Sequence, residues 1–167
     1  LTLNGFNLWR QAATPIKADF RAAAAYVASY DSTGSPSDHF QAGGQSRDRG
    51  AESTTGPLAF DDLIIFQIPY GRYTFDYYFP VEGYPWADGP YTNHRYASGA
   101  YRMTAQRAAE RLHEMTRGYD VAWLVATEVS LWDERNLTQQ WLEQRALNVS
   151  AAHFTRVDVY RYELPDA

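Results

Sequence analysis

The chain contains no cysteine among its 167 residues. A disulfide framework and a thiolate zinc site are therefore excluded, because both need cysteine sulfur. The four histidines are scattered, and none forms a ligand pair with an acid at metal-binding spacing. No GxGxxG segment follows an apolar run, so a dinucleotide site lacks its phosphate-binding turn. The sequence predicts neither a metal site nor a cofactor.

Long hydrophobic runs and an excess of basic charge are also missing. No apolar run approaches the roughly 20 residues that are needed to cross a bilayer, and no signal-peptide pattern is present. The formal net charge is -5, and the arginines are scattered among acids along the chain. We therefore expect no nucleic-acid partner, because phosphate backbones are bound by clustered lysine and arginine.

Aromatic side chains, in contrast, are abundant. They make up 16% of the residues and include 13 tyrosines and 5 tryptophans. Tyrosine and tryptophan combine a large apolar face with a polar group. Such side chains suit sugar-binding surfaces and protein interfaces, but they also build cores, and composition alone leaves these alternatives open.

Helical and strand-like segments alternate along the chain. Apolar residues at helical spacing predict helices over about 16–30 and 100–117. Short continuous apolar runs at 63–68 and 121–127 predict strands that are covered on both faces. This order, helix then buried strand twice over, is typical of a layered α/β sheet.

The remaining segments are less regular. Aromatic spacing over 73–79 fits a short helix or an irregular wall, and the prolines and glycines of 80–99 predict a loop. Asp133 is predicted to cap a third helix. Alternation over 156–162 predicts a last strand, solvated on one face or lying at an edge. The polar stretch 31–59 is predicted to be a long surface loop inserted into the domain.

The fold that we expect is a small three-layer α/β/α sandwich of Rossmann-like kind. The long, helix-bearing connections between the strands predict a mostly parallel sheet, because parallel strands need such crossovers. The length of the chain fits one domain spanning residues 1–167, with 31–59 as the insertion.

Polar side chains follow both buried runs. Tyr70, Arg72 and Asp76 come after the first run, and Glu128 and Asp133 follow the second. Ligands of open α/β sheets bind beyond the carboxyl ends of the strands, so we expect a ligand site at this edge. The simpler alternative is that Asp133 is only a helix cap and Arg72 only a surface charge.

Five segments carry a family resemblance. Two of them lie in the first half of the chain: DFRAAAAYV (19–27) resembles "D-W-R-x-A-A-x-Y-I/V", and DDLIIF (61–66) resembles "G-D-x-I/V-x-F". FDYY (75–78) resembles "F-x-Y-Y". Further along, VAWLV (121–125) resembles "R-V-W-L-V", and VDVYRY (157–162) resembles "V-x-V-Y-R-Y/F". These motifs are similar to those of bacterial membrane glycosyltransferases related to protein mannosyltransferases and lipid A aminoarabinose transferases. The resembling part is their C-terminal extracytoplasmic domain. The chain departs from the pattern at Phe20, where tryptophan is usual, and in the length of 31–59.

The resemblance implies a role for the chain within a longer parent. Enzymes of this family span the membrane many times and use polyprenyl-phosphate sugars, and their catalytic acid lies in an early loop that this chain lacks. We therefore expect an extracytoplasmic domain that is soluble by itself and carries no catalytic residue. Its partners would be the transmembrane part of the parent and a glycan or polyprenyl-phosphate sugar. It would cap the membrane-embedded active site and help to position acceptor or donor.

The resemblance also suggests roles for individual side chains. Tyr77, Tyr78 and Trp86 are candidates for stacking on sugar faces, and Arg72 and Arg95 are candidates for contact with phosphate.

Two alternatives of other classes stay open. One is a stand-alone small-molecule enzyme on a Rossmann-like scaffold, with Glu128, Asp133 and Asp76 as acid–base groups. The other is a structural interaction module, which a large exposed aromatic patch would favour.

Overall fold

The computed structural model describes residues 17–30 and 62–165. The predicted insertion loop at 31–59 lies outside these residues. The helices are α1 (Phe20–Ala28), α2 (Pro69–Asp76), α3 (Ala105–Thr116), α4 (Val129–Trp132) and α5 (Leu137–Glu143). The strands are β1 (Leu63–Phe66), β2 (Trp86–Asp88), β3 (Val121–Ala126), β4 (Asn148–Phe154) and β5 (Val157–Glu163).

The strands form one five-stranded sheet in the order β2-β1-β3-β5-β4. The two apolar runs pair directly and in parallel, with Leu63 opposite Ala122 and Phe66 opposite Val125. The prediction that both runs are buried strands of one sheet is confirmed, and so is the α/β class.

The sheet is mixed, which corrects the prediction of a mostly parallel sheet. Strands β1–β2 and β1–β3 are parallel, whereas β3–β5 and β4–β5 are antiparallel. Only Thr155 and Arg156 separate β4 from β5, and a turn this short joins antiparallel strands only. The hairpin also places β5 between β3 and β4. Of the two alternatives predicted for the last strand, an edge position is wrong, whereas the half-buried Asp158 and Tyr160 fit a strand that is partly solvated on one face.

The outer strands, β2 and β4, were not predicted. β2 interrupts the segment 80–99 that was expected to be loop, and it has only three residues. β4 has exposed residues at alternate positions and no fully buried one. Both strands have at most one covered face, which leaves little apolar pattern in their sequence.

Helices pack on both faces of the sheet. Ile64, Phe66, Trp123 and Val125 belong to one hydrophobic cluster, together with residues of α1 and α2. The alternate residues of the same strands, such as Ile65 and Leu124, belong to a second cluster with residues of α3 and α5. Successive side chains of a strand point to opposite faces, so continuous apolar runs supply both clusters.

The helix ends explain how far each helix extends. The Asp19 carboxylate accepts a hydrogen bond of 3.0 Å from the Ala22 N–H and so caps α1. Thr104 caps α3 by accepting from the Arg107 N–H, so α3 begins at Ala105 and not near residue 100. Gly118, at φ +83, lies just beyond the end of α3, where glycine adopts this left-handed conformation readily.

Apolar spacing over 100–117 predicts an inner face of Tyr101, Thr104, Ala105, Ala108, Leu112 and Met115. Three of these residues differ from the prediction, and one of them, Ala105, is exposed in the first turn of α3. Tyr101 lies before the helix, in an isolated bridge with Arg95, and Thr104 is exposed at its cap position. Ala108 and Leu112 are buried as expected. Across 17–30 and 62–165, no helix combines the length and the apolar character that crossing a membrane requires.

Candidate functional site

The first candidate surface is a groove beside the carboxyl-terminal half of α2, with a volume of about 510 Å³. We call it the aromatic groove. It is lined by Arg72, Asp76, Tyr84, Trp86 and the segment 79–83. Helix α2 begins at Pro69, where the missing N–H of proline costs no helical hydrogen bond. It thereby presents Arg72 and Asp76 one turn apart.

Charged and aromatic groups are closely combined in this groove. The guanidinium of Arg72 lies 3.7 Å from the ring centroid of Trp86, and its Nε lies 3.7 Å from the carboxylate of Asp76. A cation over an exposed tryptophan ring contributes about 0.5–1 kcal/mol. These contacts hold the Arg72 side chain against the indole ring of Trp86, a residue that is 43% exposed.

Tyr84 anchors the base of the groove. Its ring packs against Phe75 and Phe79, and its hydroxyl donates a hydrogen bond to the Asp76 carboxylate. Burial, and then the hydrogen bond to Asp76, raise the pKa of Tyr84 well above its usual value. Tyr84 therefore keeps its proton further into the alkaline range than an exposed tyrosine and donates a hydrogen bond to the Asp76 carboxylate.

Exposed tyrosines lie next to the groove. The exposed fraction is 70% for Tyr73 and 82% for Tyr77. Tyr77 and Tyr78 contact each other edge to face, with ring centroids 4.9 Å apart, and stand in the chain between Asp76 and Phe79 of the groove. The groove is therefore bordered by aromatic faces that solvent reaches.

The structure joins Tyr70 and Glu128, which follow β1 and β3 in the chain. The Tyr70 hydroxyl donates to the Glu128 carboxylate, and this hydrogen bond raises the pKa of Tyr70. The Arg156 guanidinium lies 3.9 Å from Glu128. Glu128 and Arg156 line a second depression of about 520 Å³, which shares no residue with the aromatic groove.

Glu128 also has an unusual backbone conformation. Its φ is +47, in the left-handed region that non-glycine residues rarely adopt. This conformation turns the chain sharply from β3 into α4 and directs it back over the sheet edge.

Asp133 is the predicted site residue that the structure removes from solvent. Its exposed fraction is 0%. One carboxylate oxygen accepts from the Thr92 hydroxyl at 2.5 Å, and the other accepts from the Thr138 N–H at 2.9 Å, in the first turn of α5. The N-cap of α5 is Asn136, so the prediction that Asp133 is the N-cap is wrong. Asp133, three residues earlier, accepts from the first turn of α5 and also holds the distant Thr92.

The six predicted site residues therefore divide into separate environments. Arg72 and Asp76 share the aromatic groove and Tyr77 adjoins it, Tyr70 and Glu128 pair elsewhere, and Asp133 is buried. Arg95, a phosphate candidate, is paired with Glu134. Within the described part of the chain, no group of three His, Cys, Asp or Glu residues is placed to hold a metal ion.

Sequence reasoning missed two residues at this edge. Tyr84 lies in a segment predicted to be loop, and no local pattern marks it as the partner of Asp76. Gln67 is fully buried directly after β1, and neither its amide nitrogen nor its oxygen has a hydrogen-bond partner. A polar residue inside a predicted buried run is the signal that would have singled out Gln67.

Comparison with protein-family models, curated proteins and solved structures finds no match to this chain. The functional proposal therefore depends on side-chain geometry together with the five-segment resemblance.

Proposed function

We propose that this chain is a carbohydrate-binding accessory domain of a membrane glycosyltransferase that uses polyprenyl-phosphate sugars. In this proposal it is extracytoplasmic, caps the membrane-embedded active site of its parent and helps to position acceptor or donor. It does not transfer sugar by itself. A three-layer, Rossmann-like arrangement is part of the same proposal, and helices on both faces of the sheet support it.

The aromatic groove is the observation that carries the proposal. Sugar rings have apolar C–H faces that stack on aromatic rings and hydroxyl groups that bond to charged side chains. Trp86 offers the ring, and Arg72 and Asp76 offer a donor and an acceptor beside it. Tyr77 extends the aromatic surface beyond one ring.

A titration of the isotope-labelled chain with mannotriose, followed by amide NMR, tests this proposal. We expect saturable shifts within 70–86 and weak affinity, with a Kd on the order of 1 mM. Trp86→Ala should weaken binding about tenfold, which corresponds to roughly 1.4 kcal/mol. Tyr96→Ala, which removes an exposed tyrosine outside the groove, should leave the affinity unchanged.

Two outcomes would contradict the proposal. Absence of shifts within 70–86 for mannotriose and for a polyprenyl-phosphate sugar would remove the binding role. Turnover in a sugar-transfer assay with this chain alone would remove the claim that it is non-catalytic.

A structural interaction module is the second candidate, and the exposed tyrosines of α2 favour it. Tyr70, Tyr73 and Tyr77 leave most of their surface uncovered, which is typical of residues that a partner buries. A photo-crosslinker at position 77 in the parent enzyme should then capture its transmembrane part whether or not sugar is present.

The remaining alternative, a stand-alone enzyme with carboxylates as acid–base groups, receives less support from the geometry. Asp76 and Glu128 line different depressions, and both oxygens of Asp133 are engaged inside the protein. A general acid and a general base must both reach one substrate, and these carboxylates do not share a cavity.

A further inference from the structure

A second groove lies at the amino-terminal end of α3, on residues that the proposed function does not use. We call it the arginine groove. Its volume is about 470 Å³, and it is lined by Tyr91, His94, Arg102, Met103, Arg107, Glu110 and Arg111. None of these residues lines the aromatic groove. Three arginines thus line one depression on a chain whose net charge is -5, and the Arg102 guanidinium lies 5.1 Å from the ring centroid of Tyr96.

These arginines lack the acidic partners that other arginines of the chain have. Arg95 pairs with Glu134 and Arg117 with Glu114. Within 17–30 and 62–165, no carboxylate lies within 4.0 Å of the guanidinium groups of Arg102, Arg107 or Arg111.

The one acid of the groove does not neutralise it. The carboxylate of Glu110 accepts a hydrogen bond from the Gln106 amide, and three positive charges face this single negative charge. Arg107 and Arg111 stand one turn apart on α3, where like charges repel. An external anion would relieve this repulsion and accept hydrogen bonds from both guanidinium groups.

The loop that forms the other wall of the groove is held firmly. The Arg135 guanidinium donates to the carbonyl oxygens of Met103 at 2.7 Å and Thr92 at 3.0 Å. The Asn93 amide donates to the carbonyl of Ser130, and Asp133 accepts from the Thr92 hydroxyl. Because these contacts order the loop in advance, a ligand would bind without the entropy loss of ordering it.

The floor of the groove also offers an aromatic ring. The Tyr91 ring lies 4.5 Å from Trp132 and stacks near His94, with centroids 6.1 Å apart. Its exposed fraction is 40%. An organic group attached to a bound anion would meet this ring.

We infer that the arginine groove binds a phosphate-bearing ligand with at least two negative charges, either a phosphate monoester or a diphosphate. Arg107 and Arg111 donate to the phosphate oxygens, Arg102 adds charge from the loop, and Tyr91 contacts the organic part. Guanidinium groups suit this role because their planar donors match phosphate oxygens in pairs. Arg107 and Arg111 are at helical spacing in the sequence, but Tyr91 and His94 join them only through the fold of the loop.

Calorimetric titration of the full chain with pyrophosphate, at low and moderate salt, tests this inference. We expect saturable binding that each of Arg107→Gln and Arg111→Gln weakens about tenfold. Arg117→Gln is the matched control, since it removes the same charge at the opposite end of α3 from an arginine that pairs with Glu114. Its effect on affinity should be less than about twofold.

A second arm separates a soluble ligand from a lipid headgroup. The same variants are tested for binding to phosphatidylcholine vesicles with and without phosphatidic acid, which carries a phosphate monoester. Binding to pyrophosphate supports a soluble phosphate source. Binding only to the phosphatidic-acid vesicles, lost in Arg107→Gln, supports a headgroup.

The inference is overturned if the wild-type chain binds neither probe, or if Arg117→Gln weakens binding as much as Arg107→Gln does. The second result would mean attraction to overall charge and no defined site. Failure of the mannotriose titration leaves this inference intact, because the two grooves share no lining residue.

Discussion

Asp133 shows how one buried carboxylate organises two distant parts of the chain. Its oxygens accept from the Thr92 hydroxyl and from the Thr138 N–H, so it ties the loop before α3 to the first turn of α5. Burying a charge is costly unless its hydrogen bonds are complete. Asp133 therefore stabilises the fold only while both donors are in place.

Removing this carboxylate should be strongly destabilising. Asp133→Ala leaves the Thr92 hydroxyl and the Thr138 N–H without an acceptor, and we expect a loss of about 2–3 kcal/mol in the free energy of unfolding. Urea denaturation measures it. Asp120→Ala, at an exposed acid, should change stability by less than about 0.5 kcal/mol.

The Thr92–Asp133 pair can be isolated by a double-mutant cycle with Thr92→Val. Because the two side chains bond directly, the coupling should be about 1–2 kcal/mol. A coupling below about 0.3 kcal/mol would mean that this hydrogen bond is not formed in solution.

The sequence predicted Asp133 as the N-cap of the third helix, whereas Asn136 occupies that position, and it did not predict the bond to Thr92. A contact of Asp133 with the start of a nearby helix can be expected from the sequence, since Asp133 and the Thr138 N–H are only five residues apart. The Thr92 hydroxyl lies 41 residues away in sequence, and no local pattern predicts a contact over that separation.

At the scale of elements, α2 divides its residues between core and solvent. Gly71 and Phe75 are buried, whereas Tyr73 and Tyr77 are largely exposed. A Cβ at position 71 would lie 3.3 Å from the ring of Phe20, so glycine there permits the close approach of α1 and α2. The exposed aromatic residues therefore contribute little to packing and are available for binding.

Two substitutions, one at a buried and one at an exposed aromatic residue, test this difference in packing between the core side and the solvent side of the α2 segment. Phe75→Ala removes a ring that is 0% exposed and contacts Phe66 and Phe79, and should cost about 3–5 kcal/mol of stability. Tyr77→Ala, directly after the helix, should cost less than about 0.5 kcal/mol. Chemical denaturation of both variants gives the comparison, and a Tyr77→Ala loss comparable with that of Phe75→Ala would mean that Tyr77 is packed in solution.

Also at the scale of elements, the strands that the sequence predicted correctly are the ones buried on both faces. The strands β1 and β3 are covered on both faces and appear in the sequence as continuous apolar runs. The edge strand β4 mixes exposed and half-buried residues, so its sequence has no strong period. Its position is set by the short turn to β5 and by pairing with β5.

At the scale of the whole molecule, buried tyrosines set a limit on stability at high pH. Burial is the largest cause that raises the pKa of Tyr26, Tyr84 and Tyr162 above the ordinary value of 10.0. The folded state therefore favours the protonated phenols. This contribution is fully present below pH 10.0 and is lost as the pH rises above it, because the unfolded chain then releases protons that the folded chain retains.

The substitution Tyr162→Phe should make the loss of folding stability at alkaline pH less steep. The Tyr162 hydroxyl is buried without a hydrogen-bond partner, so its removal should also be neutral or stabilising by about 1 kcal/mol at pH 7. Urea denaturation between pH 7 and pH 11 measures both effects. Tyr73→Phe, at an exposed tyrosine, is the control, and an unchanged alkaline slope in Tyr162→Phe would contradict the prediction.

The sequence by itself determined which segments enter the core, because periodic apolar spacing and continuous apolar runs are local properties of the chain. It placed the two central strands and the helices α1 and α3, and it located polar residues at the ends of those strands. Only the tertiary structure decided the mixed strand order, the burial of Asp133 and the placement of Tyr91 beside Arg107 and Arg111 in one groove. The physical reason is that these features depend on contacts between distant residues, which turns and loops bring together and which no local period records.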